Sequence, residues 1–250
     1  MLDKSQKTGS VNFSKEEIEK FDALAESWWN PTGKYKTALE FNQARLEVIK
    51  SQINHHFGIH HNKEGYSTLS IIDIGSGGGL ISEPLASLGA NVTGIDASAV
   101  SVEVATRHAA QNNVDVTYKH MLSSEMVKEG KQFDVVINAE VVEHVPDQQQ
   151  LIQECASMVK PGGLLVLATL NRTLKSLIIA IVGAEYVMRY LPIGTHDWCK
   201  FVKPQELEAW VGTNFSLQHQ IGMKLNPLKG EWTTTPSLSV NYIQAFSKHE

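Results

Sequence analysis

Residues 69–80 read LSIIDIGSGGGL. The first half is a short, nearly continuous apolar run, which is what a strand buried on both faces of a sheet requires. The second half is a glycine turn, Gly75-Ser-Gly77-Gly78-Gly79, and LISEPLASLG then carries a helical pattern to a closing Gly89. Strand, glycine turn and helix in that order open a parallel βαβ unit.

Outward from this unit the alternation continues. NVTGID is a second strand, and the helix SAVSVEVATRHAAQNN follows with Ser98 as N-cap. VDVTYKHM is a third strand and FDVVINA a fourth; DQQQLIQECASMVK is a helix closed by Pro161-Gly162-Gly163, and LLVLATL is a fifth strand. After Asn171 the alternation stops for about thirty residues, then resumes with the helix KPQELEAWVG. FSLQHQIG and LSVNYIQAFS read as a closing pair of strands joined by an irregular loop, LNPLKGEWTTTPS. The expected fold is α/β, a doubly wound, mostly parallel, seven-stranded sheet. Two helices precede it. One begins at the capping-box pattern Ser14-Lys-Glu-Glu17, and the other spans about Thr37 to Phe57, followed by a polar loop, HHNKEGYST.

The bulk numbers exclude little beyond disorder and a nucleic-acid partner. The chain has 250 residues, 42% hydrophobic and 20% charged, with a formal net charge of -5, which is ordinary for a globular protein and unlike a basic nucleic-acid binder. Cys155 and Cys199 form no C-x-x-C pair, which suits a reducing cytosol, and MLDKSQKTGSVNF has no apolar secretory core. His55-His56 and His60-His61 read as solvated polar pairs, with no acidic or cysteine partner beside them for a metal.

The glycine turn points to a ligand. Glycines let the chain turn tightly and let a ligand approach the backbone, and the following helix adds exposed N–H groups. Asp96 closes the second strand 21 residues after Gly75, where its carboxylate can accept ribose hydroxyls. A dinucleotide fingerprint needs a third glycine where Leu80 stands, so that reading is broken. Asp73, two residues before Gly75, suits the ammonium and sulfonium charges of S-adenosylmethionine. Asp73, the Gly75 to Gly79 run with Gly77 inside it, Asp96 and the terminal pair of strands together resemble the class I methyltransferase motif set.

The resemblance extends to one family. WWNPTGKYKTALEFNQAR (28–45), EVVEHVPD (140–147), NRTLKSLIIAIVGAEYVMRYLPIGTHDWCKFVKPQEL (171–207) and VNY (240–242) look like the ubiquinone-biosynthesis O-methyltransferases. Those enzymes methylate catechol hydroxyls on polyprenylated ring intermediates. The similarity runs from about Phe13 onward; the departures are a longer polar loop over 55–66 and Ser76 where many relatives carry Cys. Carried over by position, Arg45, Gly75, Asp96 and Ala139 contact the cofactor, Arg45 by a bidentate pair with its carboxylate. Met121 to Ser123 border the adenine. The resemblance implies four regions: a helical cap (1–68), the cofactor-binding core (69–170), a hydrophobic insertion (171–202) and the end of the sheet (203–250). It also implies a cytoplasmic protein at the inner membrane surface, with other ubiquinone-biosynthesis enzymes as partners.

Glu140, Glu143 and His144 follow the fourth strand, at the sheet end where this fold places its chemistry. On a helical turn they share a face and hold one divalent ion, Mg, Mn or Zn, a requirement the resemblance also implies. The rival reading makes His144 a general base, with Glu140 beside it as the second catalytic group. Two alternatives stand beside this reading: a methyltransferase of another small aromatic or carbon acceptor, and a non-enzymatic membrane-associated binding module.

Leu174 to Leu191, LKSLIIAIVGAEYVMRYL, is the last feature. It is too short and too interrupted by Lys175, Glu185 and Arg189 to span a bilayer. The alternatives are a core helix or an amphipathic segment that dips into an anionic membrane surface and admits a lipid-tailed substrate.

Overall fold

A computed structural model of the chain describes residues 12–22, 29, 36–59, 63–179, 197–226 and 231–250. The elements in order are α1 (Lys15–Asp22), α2 (Lys36–Phe57), a single turn α3 (Lys63–Tyr66), β1 (Ser70–Ile74), α4 (Ser82–Ser87), β2 (Asn91–Asp96), α5 (Ala99–Gln111), β3 (Val116–His120), α6 (Ser123–Lys128) and β4 (Phe133–Ala139). A 3-10 turn (Val142–His144) leads to α7 (Gln148–Ser157) and β5 (Val159–Leu170). Then come the single turn α8 (Leu174–Ser176), α9 (Pro204–Val211), β6 (Phe215–Asn226), β7 (Glu231–Thr235) and β8 (Asn241–Lys248).

The sheet runs β3-β2-β1-β4-β5-β8-β6-β7. The first five strands are parallel; β8 pairs antiparallel with β5 and β6, and β6 with β7. The order reverses at β1, so β2 and β4 diverge on either side of it and open a crevice at their carboxyl ends. Ile71, Val135 and Leu164 stand in one row across β1, β4 and β5, and Ile72, Val136 and Leu165 in the next. Successive residues of a strand face opposite sides, which is why these strands are apolar without a break. The first row packs with Leu46, Ile49 and Ile53 of α2 and Leu85 of α4. The second packs with Leu151 and Ile152 of α7, Met126 of α6 and Leu207 of α9. Each such side chain contributes about 1.5–3 kcal/mol by leaving water.

Three expectations are corrected. The sheet has eight strands, because EWTTT pairs with β6 as an edge strand where an irregular loop was expected. Pro161-Gly162-Gly163 lies within β5, at a register shift against Phe133 and Val135, and α7 ends before it at Ser157, capped by Met158. The polar loop before β1 contains the turn α3, and its Tyr66 is buried. Residues 180–191 of the greasy stretch lie outside the described residues. Its first residues are exposed, Leu174 at 72%, Ile178 at 61% and Ile179 at 47%. Its base is tied down by Thr173 Oγ1 donating to Ser239 O (2.6 Å) and Trp198 Nε1 donating to Thr173 O (2.8 Å). Among the described residues no helix is long and apolar enough to cross a membrane.

Candidate active site

A cavity of about 230 Å³ lies at the carboxyl ends of β1, β2 and β4, roofed on one side by α1. Gly75 and Gly77 form its floor, both with positive φ, +76° and +50°. A side chain at Gly75 has no room: its Cβ would lie 2.3 Å from Val141 Cγ2. The turn is pinned by the amides of Gly75 and Ser76, which donate to Ile95 O at 2.8 and 3.0 Å.

Asp96 ends β2 on the cavity wall. Its Oδ2 accepts from the Gly77 amide and its Oδ1 from the Ser98 amide, each at 2.8 Å. Those bonds hold the carboxylate in place, and each oxygen retains a lone pair for a ligand hydroxyl. Burial raises its pKa, and the two amides oppose that shift.

Asp73 is almost fully buried, and its Oδ2 accepts from Ser82 Oγ at 2.7 Å. Burial pushes its pKa up to about 6, against the Ser82 bond and the charge of Arg45. A cationic ligand group beside it would offset that desolvation.

Arg45 comes from α2 and is 8% exposed. Its Nη2 donates to Asn42 Oδ1, and Asn42 Nδ2 donates to Leu80 O, so α2 is keyed to the glycine turn. Arg45 Nε and Nη1 are buried with no hydrogen-bond partner. Unpaired buried donors cost about 1–3 kcal/mol each, more when charged, and here they lie on the cavity wall. An anionic group bound there would satisfy them. Asn42 had no signature in the sequence; its role depends on where α2 docks.

Ala139 and Glu140 continue the wall from β4. Glu140 takes a left-handed conformation, φ +59°, which is strained for a residue with a side chain. Its carboxylate lies 3.4 Å from Arg45 Nη1. The helical turn expected here does not form: only Val142–His144 is helical, and as a 3-10 turn. Consequently Glu140, Glu143 and His144 do not converge. Glu143 is 3% exposed and turns beneath the wall, its Oε2 accepting from Thr169 Oγ1 at 2.8 Å. Burial, then the neighbouring Glu140, holds its carboxyl well above the usual range. His144 lines the cavity, with Nδ1 2.9 Å from Glu17 Oε2. Among the described residues no group of three or more His, Cys, Asp or Glu is placed to hold a metal ion. The two carboxylates remain neighbours, and Glu143 Oε1 is buried without a hydrogen-bond partner. Met121, Leu122 and Ser123 border the far end of the cavity beyond Asp96.

Taken together, the walls present cationic donors without hydrogen bonds, a buried acid and an anchored acid ready for hydroxyls, with an imidazole on the same lining. They suit an extended ligand with a carboxylate, a positive charge and a ribose.

Comparison with known proteins agrees. A family profile described as "Methyltransferase domain" matches residues 72–167. The ubiquinone biosynthesis O-methyltransferase of Pelagibacter ubique (strain HTCC1062) is 48% identical over 239 residues, spanning 95% of this chain and 99% of that protein. The protein of the same name from Bartonella tribocorum is 42% identical over 249 residues, spanning 97% and 98%. Among solved structures, the plantazolicin methyltransferase BpumL in complex with SAH superposes with a TM-score of 0.62 at 17% identity, over 94% of this chain and 97% of that one. The magnesium protoporphyrin IX methyltransferase ChlM of Synechocystis PCC 6803 with bound SAH gives 0.60 at 20%, over 96% and 89%. At those identities the likeness is one of fold.

Proposed function

This chain belongs to the ubiquinone biosynthesis O-methyltransferases, and from that membership we propose that it methylates a catechol hydroxyl on a polyprenylated ring intermediate, with the reaction centre at the mouth of the cavity between Glu140 and His144. The observation that carries this reading is Arg45, a buried guanidinium on the cavity wall whose Nε and Nη1 make no hydrogen bond, Nη1 lying 3.4 Å from Glu140, with the anchored Asp96 lining the same cavity.

S-adenosylmethionine supplies a methyl group already activated by its sulfonium. The protein's tasks are then to align acceptor oxygen, methyl carbon and sulfur, and to remove a proton. Arg45 takes the methionine carboxylate, Asp73 faces its ammonium, and Gly75 and Gly77 let the backbone lie against it. Asp96 accepts the ribose hydroxyls, and Ala139 closes the wall. A phenol has a pKa of about 10, so the acceptor needs help to ionise near neutrality. His144 takes its proton, and Arg45 keeps the Glu140 carboxylate at the mouth.

The exposed Leu174, Ile178 and Ile179 support a second element of the reading. They begin a segment at the end of β5, the same edge of the sheet as Ala139, and suit contact with an anionic membrane surface and entry of a prenyl tail. The protein would then work peripherally on the cytoplasmic side of the inner membrane, within reach of other enzymes of the pathway. Rates with labelled S-adenosylmethionine test the proposal across three acceptors: a prenylated catechol, the unprenylated catechol and a prenylated monophenol. The reading requires the prenylated catechol to lead; transfer to none of them rejects it.

A further inference from the structure

We infer that Trp29 is a positioning residue for cofactor binding: its indole N–H pins the glycine turn in the shape that receives S-adenosylmethionine. This role rests on S-adenosylmethionine being the ligand of the cavity. Trp29 Nε1 donates to Gly78 O at 2.8 Å, from 49 positions earlier in the chain. Gly77 and Gly78 both line the cavity, so the indole acts on the part of the backbone that meets the ligand.

The bond matters because a run of glycines does not hold its own shape. Each glycine accepts positive or negative φ, so the peptide planes between them have more than one orientation open. Every plane fixed beforehand is freedom that the ligand need not remove on binding. The amides of Gly75 and Ser76 go to Ile95 O, that of Gly77 to Asp96 Oδ2, and that of Gly79 to Ser76 O at 2.9 Å. All four of these bonds lie within the unit formed by β1, the turn and β2. The peptide between Gly78 and Gly79 is planar, with its C=O and N–H on opposite sides. Ser76 holds its N–H and Trp29 holds its C=O, so both sides of the plane are fixed, one of them by the N-terminal region.

The indole is itself held in place. It stacks on the His108 imidazole of α5, with ring centroids 3.7 Å apart and planes 7° from parallel. His108 Nδ1 lies 2.8 Å from Glu83 Oε2. Glu83 is buried and belongs to α4, the helix that follows the glycine turn. Glu83, His108 and Trp29 therefore form a relay that ends on Gly78 O. Stacking sets the plane of the indole and with it the direction of the N–H. Phenylalanine at position 29 would keep the stack and lose only the donor.

Titration calorimetry of S-adenosylhomocysteine with the full-length enzyme tests this. Trp29→Phe should raise the dissociation constant by about 3- to 10-fold, the value of one neutral hydrogen bond. KM for S-adenosylmethionine should rise by a similar factor while kcat holds within about 2-fold, as for lost ground-state binding. His108→Ala, which removes the stacking partner, should weaken binding in the presence of Trp29 and cost nothing further in the Trp29→Phe background. Wild-type enzyme with ¹⁵N-labelled tryptophan gives a reading that depends on no variant. Exchange of the assigned Trp29 indole N–H with water should slow by a similar factor on saturation with S-adenosylhomocysteine, because coupling between bond and ligand is reciprocal. Wild-type affinity in Trp29→Phe, strictly multiplicative losses with His108→Ala, or indole exchange indifferent to the ligand overturns the positioning role alone. Wild-type enzyme that does not bind S-adenosylhomocysteine overturns the cofactor reading, and the role of Trp29 with it.

Discussion

Arg45 Nη1 stands 3.4 Å from Glu140 Oε1, linking α2 to the turn that leaves β4. The pair puts a fixed positive charge between the cofactor end of the cavity and the proposed reaction centre. Arg45 Nε and Nη1 make no hydrogen bond, so a bound carboxylate gains Nε outright and shares Nη1 with Glu140. Replacing Arg45 by Met should raise the dissociation constant of S-adenosylhomocysteine by about 10- to 100-fold, the value of a hydrogen-bonded charge of about 1.5–3 kcal/mol. Arg45→Lys should recover only part, because an ammonium lacks the planar fork. Titration calorimetry reads both.

Asp73 predicts a pH dependence of stability. Its folded-state pKa is raised to about 6 from an ordinary 3.8, chiefly by burial. Between those values the folded state holds more protons than the unfolded one, so this group makes ligand-free stability fall as pH rises from about 4 to 6. Its full cost, reached above pH 6, is on the order of 3 kcal/mol. Asp73→Asn should flatten that part of the melting-temperature profile and raise the melting temperature at pH 7, while weakening cofactor binding. An unchanged slope would mean that the carboxylate is better solvated than its surroundings suggest.

Gly75→Ala should damage both fold and site. A side chain at φ +76° is strained, and its Cβ would overlap Val141 Cγ2. Strain of about 1–3 kcal/mol plus the overlap should lower the melting temperature by at least about 4 °C. Adding Val141→Ala should relieve the overlap and recover part of the loss, with the φ strain remaining.

The exposed start of the greasy segment gives a separable prediction. Changing Leu174, Ile178 and Ile179 together to Ser should weaken sedimentation with phosphatidylglycerol vesicles by at least about 10-fold, since each methylene withdrawn from the bilayer is worth about 0.8 kcal/mol. The melting temperature should hardly move, because these side chains are exposed. Undiminished vesicle binding would move membrane contact elsewhere.

The residues of the strand tips were legible because backbone position fixes them. Asp73, Gly75, Gly77 and Asp96 sit where the strand–turn–helix pattern puts them, Ala139 where the family resemblance carries it, and all line one cavity. What was not legible depends on long-range packing. EWTTT alternates poorly, with Trp232 its only large apolar residue, and becomes a strand only because β6 offers an edge. The helical reading of the turn after β4 failed at Glu140, whose left-handed φ no spacing rule anticipates. Glu17 looked like the acid of a capping box. Ser14 Oγ does accept from the Glu17 amide at 3.3 Å, but the carboxylate goes to His144, which no local pattern could disclose.

Transfer of a methyl group to a catechol oxygen is tested most directly by the product formed from ¹³C-methyl S-adenosylmethionine and a polyprenylated catechol. A single new aryl O–¹³CH₃ resonance is expected, formed slowly by Arg45→Met and His144→Ala. Label on a ring carbon, or no label in the ring product at all, would contradict it.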